Sequence, residues 1–99
     1  MEYTNDGLGV QLTVIDRPTV RQQLRYKAAL AQGRADSDKQ FEVNWEAAKL
    51  LITDWKCEAC PLDVDLDKAT DKRIADVITW TGFTVFGHYL ALDEIPKNS

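Results

Sequence analysis

Histidine occurs once, methionine once, cysteine twice and proline three times in the 99 residues of this chain. Two cysteines cannot build the disulfide framework of a small secreted domain. No run approaches the roughly 20 apolar residues needed to span a bilayer. The opening MEYTNDGLGV is acidic and polar, unlike a secretory signal. Positive charge is the minority sign: twelve Lys and Arg stand against sixteen Asp and Glu, for a net charge of −4. A dedicated nucleic-acid binder is usually basic, so that class is disfavoured. There is no internal repeat and no low-complexity tract. The remaining composition, 44% hydrophobic and 28% charged, suffices for one packed core. The expectation is a small cytosolic globular protein with no cofactor, no membrane partner and no nucleic-acid partner.

Residues 1–9 are polar and contain Gly7 and Gly9, which reads as a flexible N-terminal arm. A single helical domain then occupies residues 10–99. Val10, Leu12 and Val14 alternate with Gln11 and Thr13, the period-2 pattern of a short strand with one buried face. Pro18 suits a first helical position, so a first helix is predicted from Pro18 to Gln32, stopped by Gly33. Its apolar face is Val20, Leu24, Ala28 and Ala31, and Arg17, Arg21 and Arg25 form a basic stripe beside it. After a polar connector, Ser37 or Asp38 can cap a second helix running to about Lys56. Phe41, Trp45, Ala48, Ile52 and Trp55 supply its regular four-three stripe, widened by Leu51. A loop from Cys57 to Ala69 leads to a third helix, opened by Thr70 or Asp71 and ended near Leu92, with Pro96 beyond it. Its face is Ile74, Ile78, Thr81, Val85, His88 and Leu92. The segment 77–86 is also rich in β-branched and aromatic residues, so a hairpin competes. The helix is preferred because the pattern persists across Gly82, and one glycine is a poor two-residue turn. The predicted fold class is mainly α, a three-helix bundle with a short N-terminal strand or extended arm.

From Val77 to Leu92 no residue carries a formal charge when His88 is neutral. As a helix those residues span roughly 24 Å. Opposite the stripe stand Trp80, Phe83, Phe86 and Leu90. A helix apolar nearly all round is normally enclosed, and two other helices cover only part of it. The uncovered side is expected to meet another chain, either a second copy or a foreign partner. In the competing reading the N-terminal strand and arm fold over it.

Chemical motifs are sparse. Cys57-Glu58-Ala59-Cys60 has the spacing by which two thiolates share one metal ion, but structural zinc needs four ligands and no second pair exists. A site from Cys57, Cys60, His88 and an aspartate is the metal reading. A redox role would need a lowered thiol pKa, commonly at a helix start after a strand. Two reduced cysteines at a helix end are the favoured alternative. Asp63, Asp65 and Asp67 resemble the opening of a calcium-binding loop, but its sixth position is Lys68 in place of glycine and its twelfth is Ile74 in place of glutamate. A solvated acidic loop is favoured. His88 has no evident nucleophile to serve and reads as a hydrogen-bonded packing residue. No nucleophile elbow, phosphate-binding loop or zinc-protease motif occurs. The arginine stripe Arg17, Arg21, Arg25 fits phosphate or an acidic protein surface, the protein ahead of DNA, or else a solvated face paired within the fold.

The stretch Ile15-Asp16-Arg17-Pro18-Thr19-Val20-Arg21-Gln22-Gln23 resembles the R-P-T-V-R-x-Q opening of small tail assembly chaperones of long-tailed bacteriophages. The stretch from Asp71-Lys72-Arg73-Ile74-Ala75-Asp76 through Gly82 to Leu92-Asp93-Glu94-Ile95-Pro96-Lys97-Asn98 is similar to the final helix and tail of related phage proteins. Together they cover under half of the chain. The resemblance implies a mostly helical, non-enzymatic protein of the host cytoplasm that keeps the long, aggregation-prone tape measure protein soluble while the tail tube polymerises. It also implies frequent homo-oligomerisation and, in some members, a frameshifted extension. It carries over no catalytic residue, and the Cys-x-x-Cys is not part of it. Trp80, Phe83, Phe86 and Leu90, with Arg17, Arg21 and Arg25, are the expected partner-binding residues. The alternatives are a small phage-encoded inhibitor or adaptor of a host protein, and a small metal or redox protein using Cys57 and Cys60.

Overall fold

A lone strand has no partners for its own amides and carbonyls. The computed structural model, which describes residues 1–32 and 39–92, shows where residues 10–14 find theirs. Three strands, β1 (Glu2–Asn5), β2 (Val10–Val14) and β3 (Ile52–Cys57), form an antiparallel sheet in the order β1-β2-β3. Three helices complete the chain: α1 (Val20–Gln32), α2 (Gln40–Lys49) and α3 (Arg73–Ala91). The fold is therefore α+β, and the expected three-helix bundle is corrected. The expected stop at Gly33, the caps Ser37 and Asp38, and the tail with Pro96 lie outside the described residues.

Residues 2–5, expected in a flexible arm, pair with β2 instead, Tyr3 opposite Leu12 and Asn5 opposite Val10. The turn between them uses the Asn5 side chain, whose Oδ1 accepts from the Leu8 amide at 3.1 Å. Gly9 takes a φ of +66°, which a side chain would resist. On the other flank, the second helix ends at Lys49 rather than near Lys56. The amides of Leu50 and Leu51 bond the carbonyls of Ala47 and Ala48, a tightened last turn. Residues 52–57 then pair with β2, with a register irregularity at Thr13/Val14. Tyr3, Leu12 and Trp55 make one cross-strand row, and all three pack in the same core cluster.

The first helix starts two residues later than Pro18 because Thr19 caps it. The Gln22 amide donates to Thr19 Oγ1 at 3.2 Å, and the Thr19 amide donates to Gln22 Oε1 at 2.8 Å, a reciprocal capping box. Its buried face is not the expected one. Tyr26 is enclosed, with Ala29 and Leu30 half-buried, while Val20 and Leu24 are 71% and 61% exposed. Ala28 and Ala31 are exposed as well.

Helix α2 packs against both α1 and α3, and α3 also touches β2. Ile74, Val77, Ile78, Thr81, Gly82, Val85 and His88 are the buried face of α3, and no hairpin forms. A Cβ at Gly82 would stand 3.4 Å from Asn44 Cβ, an ordinary van der Waals contact between α3 and α2. One defect remains in the core. Thr81 is fully enclosed and its Oγ1 has no hydrogen-bond partner among the described residues. Thr81→Val keeps the shape and removes the unsatisfied hydroxyl. It should raise unfolding stability by about 1 kcal/mol, read as a higher urea midpoint at unchanged slope.

Candidate functional site

The helical period that buries one side of α3 turns Phe83, Phe86 and Leu90 outward at spacings of three and four. They are 73%, 40% and 46% exposed. Such residues are the ones a folded chain ordinarily encloses, and here they share one helix face. Trp80, expected with them, is half-buried and packs against both core clusters. The outward stripe is therefore shorter than expected by one aromatic.

Beside α3, Phe41 at the start of α2 is 61% exposed, although the sequence places it on the core stripe of its helix. It lines an apolar groove of about 400 Å³ with Leu66, Ile74 and Ile78. Glu42 and Asp71 give the groove an acidic edge. Asp71 also sets the start of α3: its Oδ1 accepts from the Arg73 amide at 2.9 Å, and Oδ2 meets the Arg73 guanidinium at 2.8 Å. These hydrogen bonds from Arg73 hold the Asp71 carboxyl down at about 2, so it is ionised at any physiological pH.

Arg17, Arg21 and Arg25 are all exposed, and none joins an ion pair among the described residues. Pairing of this stripe with the acidic loop is thus not part of the described structure. The loop carboxylates Asp63, Asp65 and Asp67 face solvent. Asp65 Oδ1 accepts from the Asp67 amide at 3.0 Å, and the Asp65 carbonyl accepts from Lys68 and Ala69, so this carboxylate serves a turn.

Cys57 ends strand β3 and Cys60 lies in the turn after it, not at a helix end as expected. Cys60 is fully enclosed beside Val10, Trp45 and Val77. Its carbonyl accepts the Trp55 indole N–H at 2.8 Å. Burial pushes its thiol up to about 11, the reverse of what metal binding or thiol exchange requires. Among the described residues no three His, Cys, Asp or Glu converge as metal ligands.

His88, whose side chain could serve as a base, has both ring nitrogens engaged. Nε2 lies 2.9 Å from the Ile15 carbonyl and Nδ1 lies 2.8 Å from the Tyr3 hydroxyl. A carbonyl only accepts, so Nε2 carries the proton, and in the neutral ring Nδ1 accepts from Tyr3. The ring thereby pins α3 to β1 and to the segment after β2.

The exposure of Phe83, Phe86 and Leu90 was signalled by the uncharged segment. The exposure of Val20, Leu24 and Phe41 was not, because each falls on what reads as a core stripe. None of the helices among the described residues is long and apolar enough to cross a membrane. No protein-family model, curated protein or solved structure matches the chain.

Proposed function

We propose that this protein is a non-enzymatic tail assembly chaperone that binds a phage tape measure protein in the host cytoplasm during tail morphogenesis. The outward stripe Phe83, Phe86, Leu90 is the observation that carries this reading, because a holdase needs apolar surface that its own fold leaves uncovered. The stripe's spacing suits an amphipathic helical client laid along α3, with anchors meeting at intervals of three and four residues. The resemblance of residues 15–23 and 71–98 to small tail assembly chaperones supports the same client.

The test is co-expression with the tape measure protein, followed by affinity capture of the complex. Phe83→Asp places a charge at the most exposed position of the stripe. It should reduce client capture on the order of tenfold or more, since burying an unpaired carboxylate costs several kcal/mol. Helix content by circular dichroism should not change, because Phe83 supports nothing in the core. Undiminished capture by the variant would remove α3 as the binding face.

A further inference from the structure

Among the described residues, two surfaces apart from the α3 stripe are left uncovered. The first is the groove between α2 and α3, with an apolar floor of Leu66, Ile74 and Ile78 and a rim of Phe41, Glu42 and Asp71. Asp71 is already paired with Arg73, whereas Glu42 makes no ion pair among the described residues. The second surface is the outward face of α1. Val20 and Leu24 are 71% and 61% exposed on it, and Arg21 and Arg25 follow each of them by one position, both exposed. One surface is an apolar slot edged by a carboxylate that makes no ion pair among the described residues. The other is an amphipathic helix with aliphatic anchors one turn apart and guanidinium groups beside them. They match in polarity and in sign of charge.

We propose that α1 of one copy docks in the α2–α3 groove of the next, Val20 and Leu24 entering the slot and Arg21 and Arg25 meeting Glu42 at its rim. The two surfaces share no residue, so each copy can give α1 and receive α1 at once. Such a contact is head-to-tail. It propagates, closing into a ring where the rotation allows and otherwise continuing as an open chain. The α3 stripe stays free for a client, so assembly and client capture are separable.

The experiment is sedimentation of the full chain over a concentration series, with three further samples. These are Glu42→Arg, the double variant Arg21→Glu/Arg25→Glu, and an equimolar mixture of the two. All the substituted side chains are exposed, and circular dichroism checks that both variants fold. The wild-type chain should gain mass with concentration. Each variant alone places like charges at the contact, and its self-association should weaken on the order of tenfold or more. In the mixture the acidic α1 of one variant meets the basic rim of the other, while the basic α1 meets the unaltered Glu42. Both contacts are then of opposite sign, and mass should return. A wild-type chain that stays monomeric throughout, a Glu42→Arg chain that assembles like wild type, or a mixture that fails to regain mass would each overturn the proposal. Capture of the tape measure protein is not read here, so either proposal can fail without the other.

Discussion

Trp45→Ala is expected to destabilise the fold by about 3–5 kcal/mol, the range for truncating an enclosed aromatic. Trp45 is the largest fully buried side chain, at 1% exposure. It shares one core cluster with Val10 of β2, Cys60 of the turn after β3, and Ile74, Val77 and Ile78 of α3. Its ring meets Trp55 edge-on at 5.5 Å between centroids, and Lys49 Nζ lies 5.1 Å from the ring centre. Alanine removes all of these contacts and leaves a cavity that three elements would have to collapse around. A single domain has about 5–15 kcal/mol of stability in total, so this one substitution takes a large share of it. The midpoint of thermal unfolding should fall by about 15–30 °C, using the scaling for a domain of this length. Trp45→Phe keeps an aromatic ring in place and should lose less than half as much. A loss below about 1 kcal/mol for Trp45→Ala would mean that the second cluster does not hold these elements together.

The same residue shows where sequence reading succeeds and where it stops. The stripe containing Trp45 is helical in period and the first half of it is a helix. Ile52 and Trp55 continue that period but lie in β3. A spacing of three satisfies the helical pattern, while in the strand Ile52 and Trp55 are half-buried across the register irregularity. No glycine or proline marks the break after Lys49. What ends the helix is the unpaired edge of β2, a demand that arises only in three dimensions. β1 was missed as well: the polar residues 1–9 read as an arm, although Asn5-Asp6-Gly7 followed by Gly9 is hairpin chemistry and Tyr3 keeps the alternation. In α1 the count of aliphatic residues pointed to the wrong face. Tyr26 is enclosed in the cluster with Leu12, Val14 and Val85 and its ring lies 4.9 Å from that of Tyr89 between centroids, while Val20 and Leu24 stay exposed. Most of the α3 face was legible because its pattern runs five positions without interruption, from Ile74 to His88. Trp80 was misplaced because it stands on the margin of that face, where neighbouring elements decide its burial.

His88→Ala is the second substitution with a large expected effect, about 2–4 kcal/mol. The imidazole is 8% exposed and its ring lies edge-on to Tyr3, 5.8 Å between centroids. Alanine would leave the half-buried Ile15 carbonyl and Tyr3 hydroxyl without this partner, each a polar group costly to leave unpaired to the extent that it is shielded from water. It would also open a gap between α3 and β1. Tyr3→Phe removes only the hydroxyl and should cost about 1 kcal/mol. Because the two side chains share one hydrogen bond, the double variant should lose less than the sum, by about 0.5–1 kcal/mol. Urea unfolding of the four proteins measures this coupling. Hydrogen exchange adds a local readout, since β1 is an edge strand fastened through Tyr3, and its amides should lose protection before those of β2. Effects confined to within about 0.5 kcal/mol would show that His88 does not fasten the sheet. A histidine kept for chemistry would instead offer a free nitrogen to a substrate. Here both nitrogens are engaged by the fold, Nδ1 with the Tyr3 hydroxyl and Nε2 with the Ile15 carbonyl, so the ring's place in this structure is to fasten α3 to the sheet.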